Sequence, residues 1–251
     1  TREIDLALDQ GDIDIGVHSL KDVPTLLMDG QEFVAFPPRE DPREGFLTAT
    51  GKIHPRDLRK GAKLGTASIR RQAQSLALRP DLDVVTFRGH VQTRLRKLEE
   101  GQADGTYLAM AGLTRLGLQD LATPLSLDDM LPAPSQGIIG VAGIPDRLNA
   151  VTLDALAQLD DMPTRRAATV ERAFLLALDG SCRTPIAGHA RLIGSRIMFQ
   201  GAVYSEDGRQ HWQANGMCAA DAEMPALLAL GQEIAAQIRD AAGDQLPAFS
   251  A

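Results

Sequence analysis

The chain has 251 residues, of which 44% are hydrophobic and 24% charged, and its net charge is −7. This is the composition of an ordinary globular protein, and no apolar run reaches the length that spans a bilayer. Two cysteines are too few for a disulfide-stapled scaffold, no signal-peptide pattern is visible at Thr1, and the five histidines are too scattered for a zinc site. We therefore expect a cytoplasmic protein without a metal.

The first 44 residues are predicted to contain one helix and two short strands. The helix covers residues 3–9, and the strands cover 13–17 and 33–36. A polar loop over 18–24 follows the first strand. The charged segment 39–44 contains a proline and has little to bury, which predicts a hinge or crossover.

Strands alternate with helices in the next part of the chain. The predicted strands are 45–49, 63–66, 83–87 and 106–111, and the predicted helices are 55–61, 68–78, 91–100 and 112–117. Such alternation predicts a mostly parallel sheet covered on both faces. A proline-rich crossing over 130–137 then leads into a buried strand over 138–144.

The last part of the chain has a different pattern. A helix is predicted over 163–179, with Pro163 at its start and Gly180 just past its end. Alternating segments separated by glycine-containing turns follow, which predicts an antiparallel meander. An amphipathic helix over roughly 220–241 completes a separate α+β unit.

Positive charge is concentrated between Lys52 and Lys97. This stretch contains twelve lysines and arginines against three aspartates, a local balance of +9. A basic island in an acidic protein favours an anionic ligand. Nucleic acid is the less expected ligand, because Phe87 is the only aromatic residue of the island and stacking platforms are therefore missing.

Several arginines of this island follow strand ends. In residues 65–71 the backbone N–H groups of a helix start would meet the hydroxyls of Thr66 and Ser68 and the guanidiniums of Arg70 and Arg71, which is an arrangement suited to carboxylate or phosphate. The alternative is a helix capped by Ser68 with exposed arginines. The same junction pattern recurs at Arg88, Arg94 and Arg115. Repeated arginines on one sheet edge predict a ligand with several carboxylates, and no nucleotide-binding fingerprint is present.

Two further positions are candidates for chemistry. Lys21 and Asp22 lie just past an apolar strand, where α/β sheets place ligands, and could form an acid–base site or a solvated turn. Cys182 follows a helix in a Gly-Ser loop. Its thiolate could form a covalent bond there, or the residue could simply be small and buried. Cys218, within the meander, is predicted to be structural.

Together these segments resemble the porphobilinogen deaminase (hydroxymethylbilane synthase) family. The matching pieces are HSLKDVP (18–24), REDPR (39–43), GTASIRRQ (65–72), FRG (87–89), TRL (93–95), AGL (111–113), RLG (115–117) and GSCRTPI (180–186). One such piece would be weak evidence, but an ordered set at family-like spacing along nearly the whole chain is very specific.

The resemblance implies an α/β fold with three domains. Two periplasmic-binding-protein-like α/β domains would surround a cleft, and a C-terminal α+β domain would carry the cysteine. We expect domain 1 to comprise residues 1–38 and 138–157, domain 2 residues 43–132, and the C-terminal domain residues 158–251.

The resemblance also implies the reaction, in which four porphobilinogens are joined head to tail into hydroxymethylbilane with loss of ammonia. A dipyrromethane cofactor, attached to Cys182 by a thioether, would be the primer. Asp22 and Lys21 map onto catalytic positions. Cofactor and substrate carboxylates would be held by Ser19, Lys21, Thr66, Ser68, Arg70, Arg71, Arg88, Arg94, Arg115 and Gln136. The implied protein is a cytoplasmic monomer that acts on porphobilinogen, without a metal, a nucleic acid or a membrane partner.

The chain departs from the family pattern at several places. The family's N-terminal strand and glycine-rich loop are absent, so domain 1 is expected to be incomplete. His90 stands where the family usually has Asn, Ser135 replaces a usual Gly, and residues 141–143 replace a segment that usually carries an acid. Two alternatives follow: an inactive truncated fragment of the enzyme, and a two-lobed anion-binding module without catalysis.

Overall fold

The computed structural model describes residues 2–178 and 184–247. Its strands are β1 Ile15–Ser19, β2 Glu32–Ala35, β3 Glu44–Leu47, β4 Lys63–Gly65, β5 Asp83–Val85, β6 Gly105–Ala109, β7 Thr123–Pro124, β8 Ile139–Gly143, β9 Ile186–Ile193, β10 Arg196–Tyr204 and β11 His211–Ala219. Its α-helices are α1 Arg2–Gln10, α2 Ile69–Leu78, α3 Val91–Glu99, α4 Met110–Arg115, α5 Ala150–Leu159, α6 Met162–Ala177 and α7 Met224–Ala242. Within these described ranges, no helix is long and apolar enough to cross a membrane.

The first sheet joins distant parts of the chain. Its order is β1-β8-β2, and both pairs are antiparallel. Strand β8 therefore returns from the middle of the sequence to lie between two N-terminal strands. Helix α5 packs here through Leu156, its only buried residue, against Ala35 and Val141. Helix α5 was not predicted from the sequence, because a helix that buries one side chain has little amphipathic pattern.

The second sheet has the order β5-β4-β6-β3-β7. Strands β5 and β6 run parallel to β4, but β3 is antiparallel to both β6 and β7. Strand β7, being antiparallel to β3, runs in the same direction as β4, β5 and β6, so the predicted mostly parallel sheet is confirmed for four of its five strands. Only β3 of this sheet runs the other way; it enters from the charged segment 39–44, without the helical crossover that parallel neighbours usually need.

Both faces of the second sheet are covered, as predicted. On β3, Phe46 packs into one apolar cluster and the next residue, Leu47, into another. On β6, Tyr107 lies in the same cluster as Phe46, and Leu108 lies in the same cluster as Leu47. Successive side chains of a strand point to opposite faces, so these pairs identify two separate buried layers.

The third sheet is the predicted antiparallel meander, with β10 between β9 and β11. Helices α6 and α7 cover it. Phe174 of α6 meets Phe199 of β10 with ring centroids 5.0 Å apart, and Ile234 of α7 lies in the same core. Cys218 is half-buried against this core. The predicted mixed α/β fold class is thus confirmed, whereas the exact domain boundaries stay a prediction.

Two crossing segments connect the first sheet to the second, and they lie side by side. The backbone N–H of Glu40 donates to the carbonyl of Gly137 at 2.9 Å. The prediction that residues 39–44 have little to bury was wrong: the Arg39 side chain is 11% exposed and Glu44 is fully buried. Each of these charges has an oppositely charged partner contributed by another part of the fold, which makes its burial possible.

The tip of the third sheet also reaches the second. The turn between β10 and β11 contains Gly208, whose φ is +69°. A Cβ added there would overlap the carbonyl oxygen of Ala73 and lie 2.5 Å from the amide nitrogen of Ala77, both in α2. Helix α2 and this turn are therefore in backbone contact.

We expect Gly208→Ala to destabilise the protein more than Gly194→Ala. Gly194 also has a positive φ, +57°, but a Cβ there would meet nothing within 4 Å. Backbone strain alone should lower the free energy of unfolding of the Gly194 variant by about 1 kcal/mol. The Gly208 variant should show the same loss from strain and an additional loss of ~1–3 kcal/mol from overpacking against α2. Urea unfolding of both variants measures the difference, and equal losses would show that the contact with α2 contributes nothing.

Candidate active site

A cavity of about 270 Å³ lies where the three sheets approach one another. Residues from every part of the fold line it. They are Lys21, Asp22, Ala67, Ser68, Arg70, Arg71, Arg94, Ala133, Pro134, Gln136, Leu175, Thr184 and Ile186. Seven of the predicted site residues are in this group, although they are scattered over more than a hundred positions of the sequence.

Lys21 and Asp22 reach the cavity from the end of β1. A 3₁₀ turn over Leu20–Asp22 follows the strand, and Leu20 anchors it, with 1% exposure and an N–H bond to the carbonyl of Ile138. Nζ of Lys21 donates to Oε1 of Gln136 at 3.1 Å. Burial, reinforced by the Arg71 guanidinium, lowers the pKa of Lys21 to about 8. Asp22 is exposed to the cavity.

The start of α2 contributes the two central arginines. Ser68 caps the helix by accepting from the backbone N–H of Arg71 at 3.4 Å, and its own N–H donates to Oγ1 of Thr66 at 3.1 Å. The predicted helix cap is therefore real. The arginines are nevertheless buried, with Arg70 at 6% and Arg71 at 8% exposure. The capped helix start orients both guanidiniums toward one buried carboxylate.

That carboxylate belongs to Glu44, the first residue of β3. Its two oxygens accept from Arg70 at 2.6 Å and from Arg71 at 2.8 Å. Burial by itself would raise the pKa of Glu44, but Arg71 and Arg70 outweigh it and hold the pKa well below its usual range. The sequence analysis missed Glu44, because nothing near it in the sequence distinguishes it from the other charges of residues 39–44.

The cavity keeps an excess of positive charge. Nε of Arg71 is buried and has no hydrogen-bond partner among the described residues. Burial and the neighbouring Arg71 lower the pKa of Arg94, whose Nε donates to the carbonyl of Gly89 at 2.8 Å. Arg71 and Arg94 both line this cavity, and two guanidiniums in one cavity suit the carboxylates of an anionic ligand.

A smaller cavity of about 150 Å³ adjoins the first. Ser19, Lys21 and Arg115 line it, together with small residues of the α4 start such as Gly112. Lys21 belongs to the walls of both cavities. The predicted residues are therefore divided between two connected compartments with one shared amine.

Two predicted residues within the described ranges, Thr66 and Arg88, line neither cavity. Thr66 is buried and supports Ser68 instead. Arg88 is exposed, and only its backbone carbonyl is engaged, by Lys97. Cys182 lies outside the described residues. Over the described ranges, no group of His, Cys, Asp or Glu is arranged to hold a metal ion.

The fold and this site define a class of protein: an α/β protein with a positively charged cleft between its sheets. The sequence comparisons narrow the class. Residues 1–151 match the family model described as porphobilinogen deaminase, dipyromethane cofactor binding domain, and residues 166–240 match the model of the porphobilinogen deaminase C-terminal domain. The chain therefore belongs to the porphobilinogen deaminase family.

Curated relatives agree with this assignment. The chain is 49% identical over 249 residues to a porphobilinogen deaminase of Nitrobacter hamburgensis, covering 98% of this chain and 76% of the relative. It is 48% identical over 250 residues to that of Nitrobacter winogradskyi, with the same coverage. Among solved structures, the periplasmic aliphatic sulphonate binding protein SsuA of Escherichia coli is 15% identical over 70% of this chain and 57% of that chain, with a TM-score of 0.40. A score this low does not establish a shared fold.

We expect Glu44→Gln to destabilise the protein by about 3–5 kcal/mol, because it leaves two buried guanidiniums without a counter-charge. Folding lowers the pKa of Glu44, so the ionised carboxylate contributes its full share to the free energy of unfolding above the ordinary pKa of 4.5. That contribution is lost as the pH falls below 4.5. We therefore expect the free energies of unfolding of wild type and variant, measured with urea, to differ less at pH 3.5 than at pH 7.

Arg96→Gln is the control for this experiment. Arg96 forms an exposed pair with Glu100 at 3.6 Å on α3. Its loss should cost below about 0.5 kcal/mol. If Glu44→Gln is no more damaging than this control, the buried cluster does not stabilise the fold.

Proposed function

We propose that the chain is a hydroxymethylbilane synthase, which joins four porphobilinogens head to tail with loss of ammonia. The observation that carries the proposal is the cavity in which Asp22 lies among Lys21, Arg71 and Arg94. Porphobilinogen carries acetate and propionate arms, so a growing chain accumulates carboxylates. A cleft with several fixed cations and a single exposed carboxylate suits that ligand.

The cations bind the acid arms of the substrate. Arg71 and Arg94 line the larger cavity and offer charge-assisted hydrogen bonds, and Lys21 belongs to the walls of both compartments. Arg115 and Ser19 would hold arms in the smaller compartment. Arg70 and Arg71 are both tied to Glu44, and each also donates to a backbone carbonyl, that of Leu131 for Arg70 and that of Tyr107 for Arg71. We assign both to the positively charged lining of the larger cavity.

Asp22 is the residue that we assign to the chemistry. Loss of ammonia from porphobilinogen leaves an electron-poor carbon, and attack on it places positive charge on a pyrrole ring. A carboxylate beside the ring nitrogen stabilises that charge and can accept and return a proton. Lys21 is the neighbouring proton carrier, since an amine with a pKa of about 8 exchanges protons near neutral pH.

The family carries a dipyrromethane cofactor. When bound, this group supplies the pyrrole terminus to which the first porphobilinogen is joined. We propose that Cys182 holds it by a thioether, and that Lys21, Arg71, Arg94 and Gln136 contact it within the larger cavity. The positive charge of the cavity supports this, because the cofactor's own side arms are carboxylates.

We expect Asp22→Asn to lower the turnover of porphobilinogen by about 10²-fold or more, with no change in thermal stability, because Asp22 is exposed. Turnover is measured as porphobilinogen consumed and as uroporphyrin formed after cyclisation and oxidation of the product. Asp29→Asn, at an exposed residue outside both cavities, is the matched control and should leave turnover unchanged. No turnover by the wild-type chain would refute the proposed activity, and normal turnover by Asp22→Asn would remove Asp22 from its role.

We expect the chain made in a porphobilinogen-producing host to have a mass above that of its sequence by two pyrrole units. Cys182→Ala should abolish the increment, and Cys218→Ala should retain it, because Cys218 packs against the C-terminal core. Intact-protein mass spectrometry distinguishes these outcomes. An unmodified Cys182 in such a host would exclude the covalent attachment.

We further infer a cytoplasmic monomer that binds neither nucleic acid nor membrane, and three domains with the boundaries given above. The low cysteine count and the small-molecule substrate support the location. Separate cores behind the three sheets support the domain division. A dimer found by light scattering would overturn the monomer.

A further inference from the structure

One fully buried carboxylate outside the cavity is bonded to several parts of the fold. Glu171, in the middle of α6, is 0% exposed. Its Oε1 accepts from Arg39 at 2.6 Å and from the backbone N–H of Ala190 at 2.7 Å. Its Oε2 accepts from the backbone N–H of Ser135, and Nδ1 of His189 lies 3.6 Å from Oε1. Glu171 therefore joins α6 and β9 to both crossing segments.

Ser135 has an unusual conformation. Its φ is +68°, and it is the only described non-glycine residue with a positive φ. Its hydroxyl is buried and has no hydrogen-bond partner among the described residues. A left-handed serine costs of order 1–3 kcal/mol and persists only where its surroundings hold it. Its N–H donates to Glu171 and its carbonyl accepts from the N–H of Ile138 at 3.1 Å, and these two bonds hold it here.

Gln136, the next residue, connects this turn to the cleft. Its backbone carbonyl accepts from Nε of Arg39 at 2.9 Å, and Arg39 also pairs with Glu171. Its side-chain Nε2 donates to the carbonyl of Pro42 at 2.8 Å, and its Oε1 accepts from Nζ of Lys21 at 3.1 Å. A continuous path of hydrogen bonds thus leads from Glu171 through Gln136 to Lys21.

We propose that Glu171 is a positioning residue for Lys21, acting through the Ser135–Gln136 turn and Arg39. It touches neither cavity, and its effect on the cleft is to hold Gln136 so that Oε1 meets the Lys21 amine. The role of Lys21 in catalysis rests on the proposed function, but the position and reactivity of its amine do not.

The crossing segment has other anchors on the C-terminal part of the chain, and these stop short of the cleft. Oδ1 of Asp160 accepts from the N–H of Phe36, and its Oδ2 pairs with Arg165 at 2.7 Å. Thr164 accepts from the N–H of Arg39 at 2.9 Å. These contacts hold the start of the segment without touching Gln136. A variant that breaks one of them is therefore a control for a general loss of packing around the segment.

The test is the rate at which acetic anhydride acetylates Lys21 in the full chain, measured by peptide mass spectrometry at one pH near 7. Exposed Lys52 is the internal reference. Glu171→Gln should raise the Lys21 rate about fivefold or more relative to Lys52, the factor expected when roughly 1 kcal/mol of ordering is lost. The amide nitrogen of Gln would face a backbone N–H, so the turn loses its acceptor.

A double-mutant cycle identifies the route. Gln136→Ala should raise the Lys21 rate by itself, and adding Glu171→Gln to it should produce no further rise. Additive effects would show that Glu171 does not act through Gln136 and would overturn the proposal. Asp160→Asn should leave the Lys21 rate unchanged, and a rise equal to that of Glu171→Gln would mean general loosening instead.

Arg39→Lys keeps the test decisive if Glu171→Gln does not fold. Lysine retains the charge but cannot donate to Glu171 and to the Gln136 carbonyl as the planar guanidinium does. Lys21 acetylation should rise in this variant too. Unchanged acetylation in a folded Arg39→Lys variant, with only its melting temperature lowered, would reduce Glu171 and Arg39 to structural roles. No step uses porphobilinogen, so failure of the proposed enzymatic activity would be seen separately.

Discussion

The buried carboxylate of Glu44 is the interaction on which the cleft depends. It enters the second sheet at the start of β3 and meets two adjacent arginines at the start of α2. An unpaired charge at any of these three positions would cost several kcal/mol, so the three must be placed together or not at all. Their pairing fixes the α2 start relative to β3 and thereby sets the direction in which the cavity's guanidiniums point.

Partial neutralisation is what makes this cluster useful. Two carboxylates, Glu44 and Asp22, cannot balance the four cations Arg70, Arg71, Lys21 and Arg94, so the cavity stays positive while its scaffold is stable. Burial lowers the pKa of Lys21 and of Arg94, and repulsion from the neighbouring Arg71 lowers both further. A bound polycarboxylate would relieve that repulsion, which gives the cleft a reason to prefer ligands with several acid groups.

A second buried carboxylate, Glu171, performs the corresponding task for the crossings. The Arg39 guanidinium offsets part of the desolvation cost of burying this carboxylate. Burial by itself would raise the pKa of Glu171, but Arg39 outweighs it, and the pKa falls to about 2. The two ion-pair clusters lie at opposite ends of the same crossing segment: Arg39 at its start pairs with Glu171, and Glu44 at its end pairs with two arginines. A segment that reads as a charged hinge is in fact fastened at both ends by buried ion pairs.

The amino-acid sequence determined much of this protein by itself. The alternation of apolar and polar residues located nearly all helices and strands, since that periodicity reports which face of an element is buried. The ordered motifs, with Arg70, Arg71 and Arg94 at strand–helix junctions and Lys21–Asp22 after β1, predicted the family and a polyanion cleft. The likeness of 18–24 and 180–186 to family segments also singled out Asp22 and Cys182, which local pattern alone left ambiguous.

Only the tertiary structure decided which charges face the ligand and which face one another. Arg70 and Arg71 are candidates for ligand binding in the sequence, yet each donates to Glu44 and to a backbone carbonyl, Leu131 for Arg70 and Tyr107 for Arg71. Glu44 and Glu171 carried no local signal, because their arginine partners are 26 to 132 positions away. The direction of β3 was likewise invisible, since side-chain periodicity is the same in parallel and antiparallel strands. Long-range pairing of charges and strands is settled by packing in three dimensions, and no window of neighbouring residues contains it.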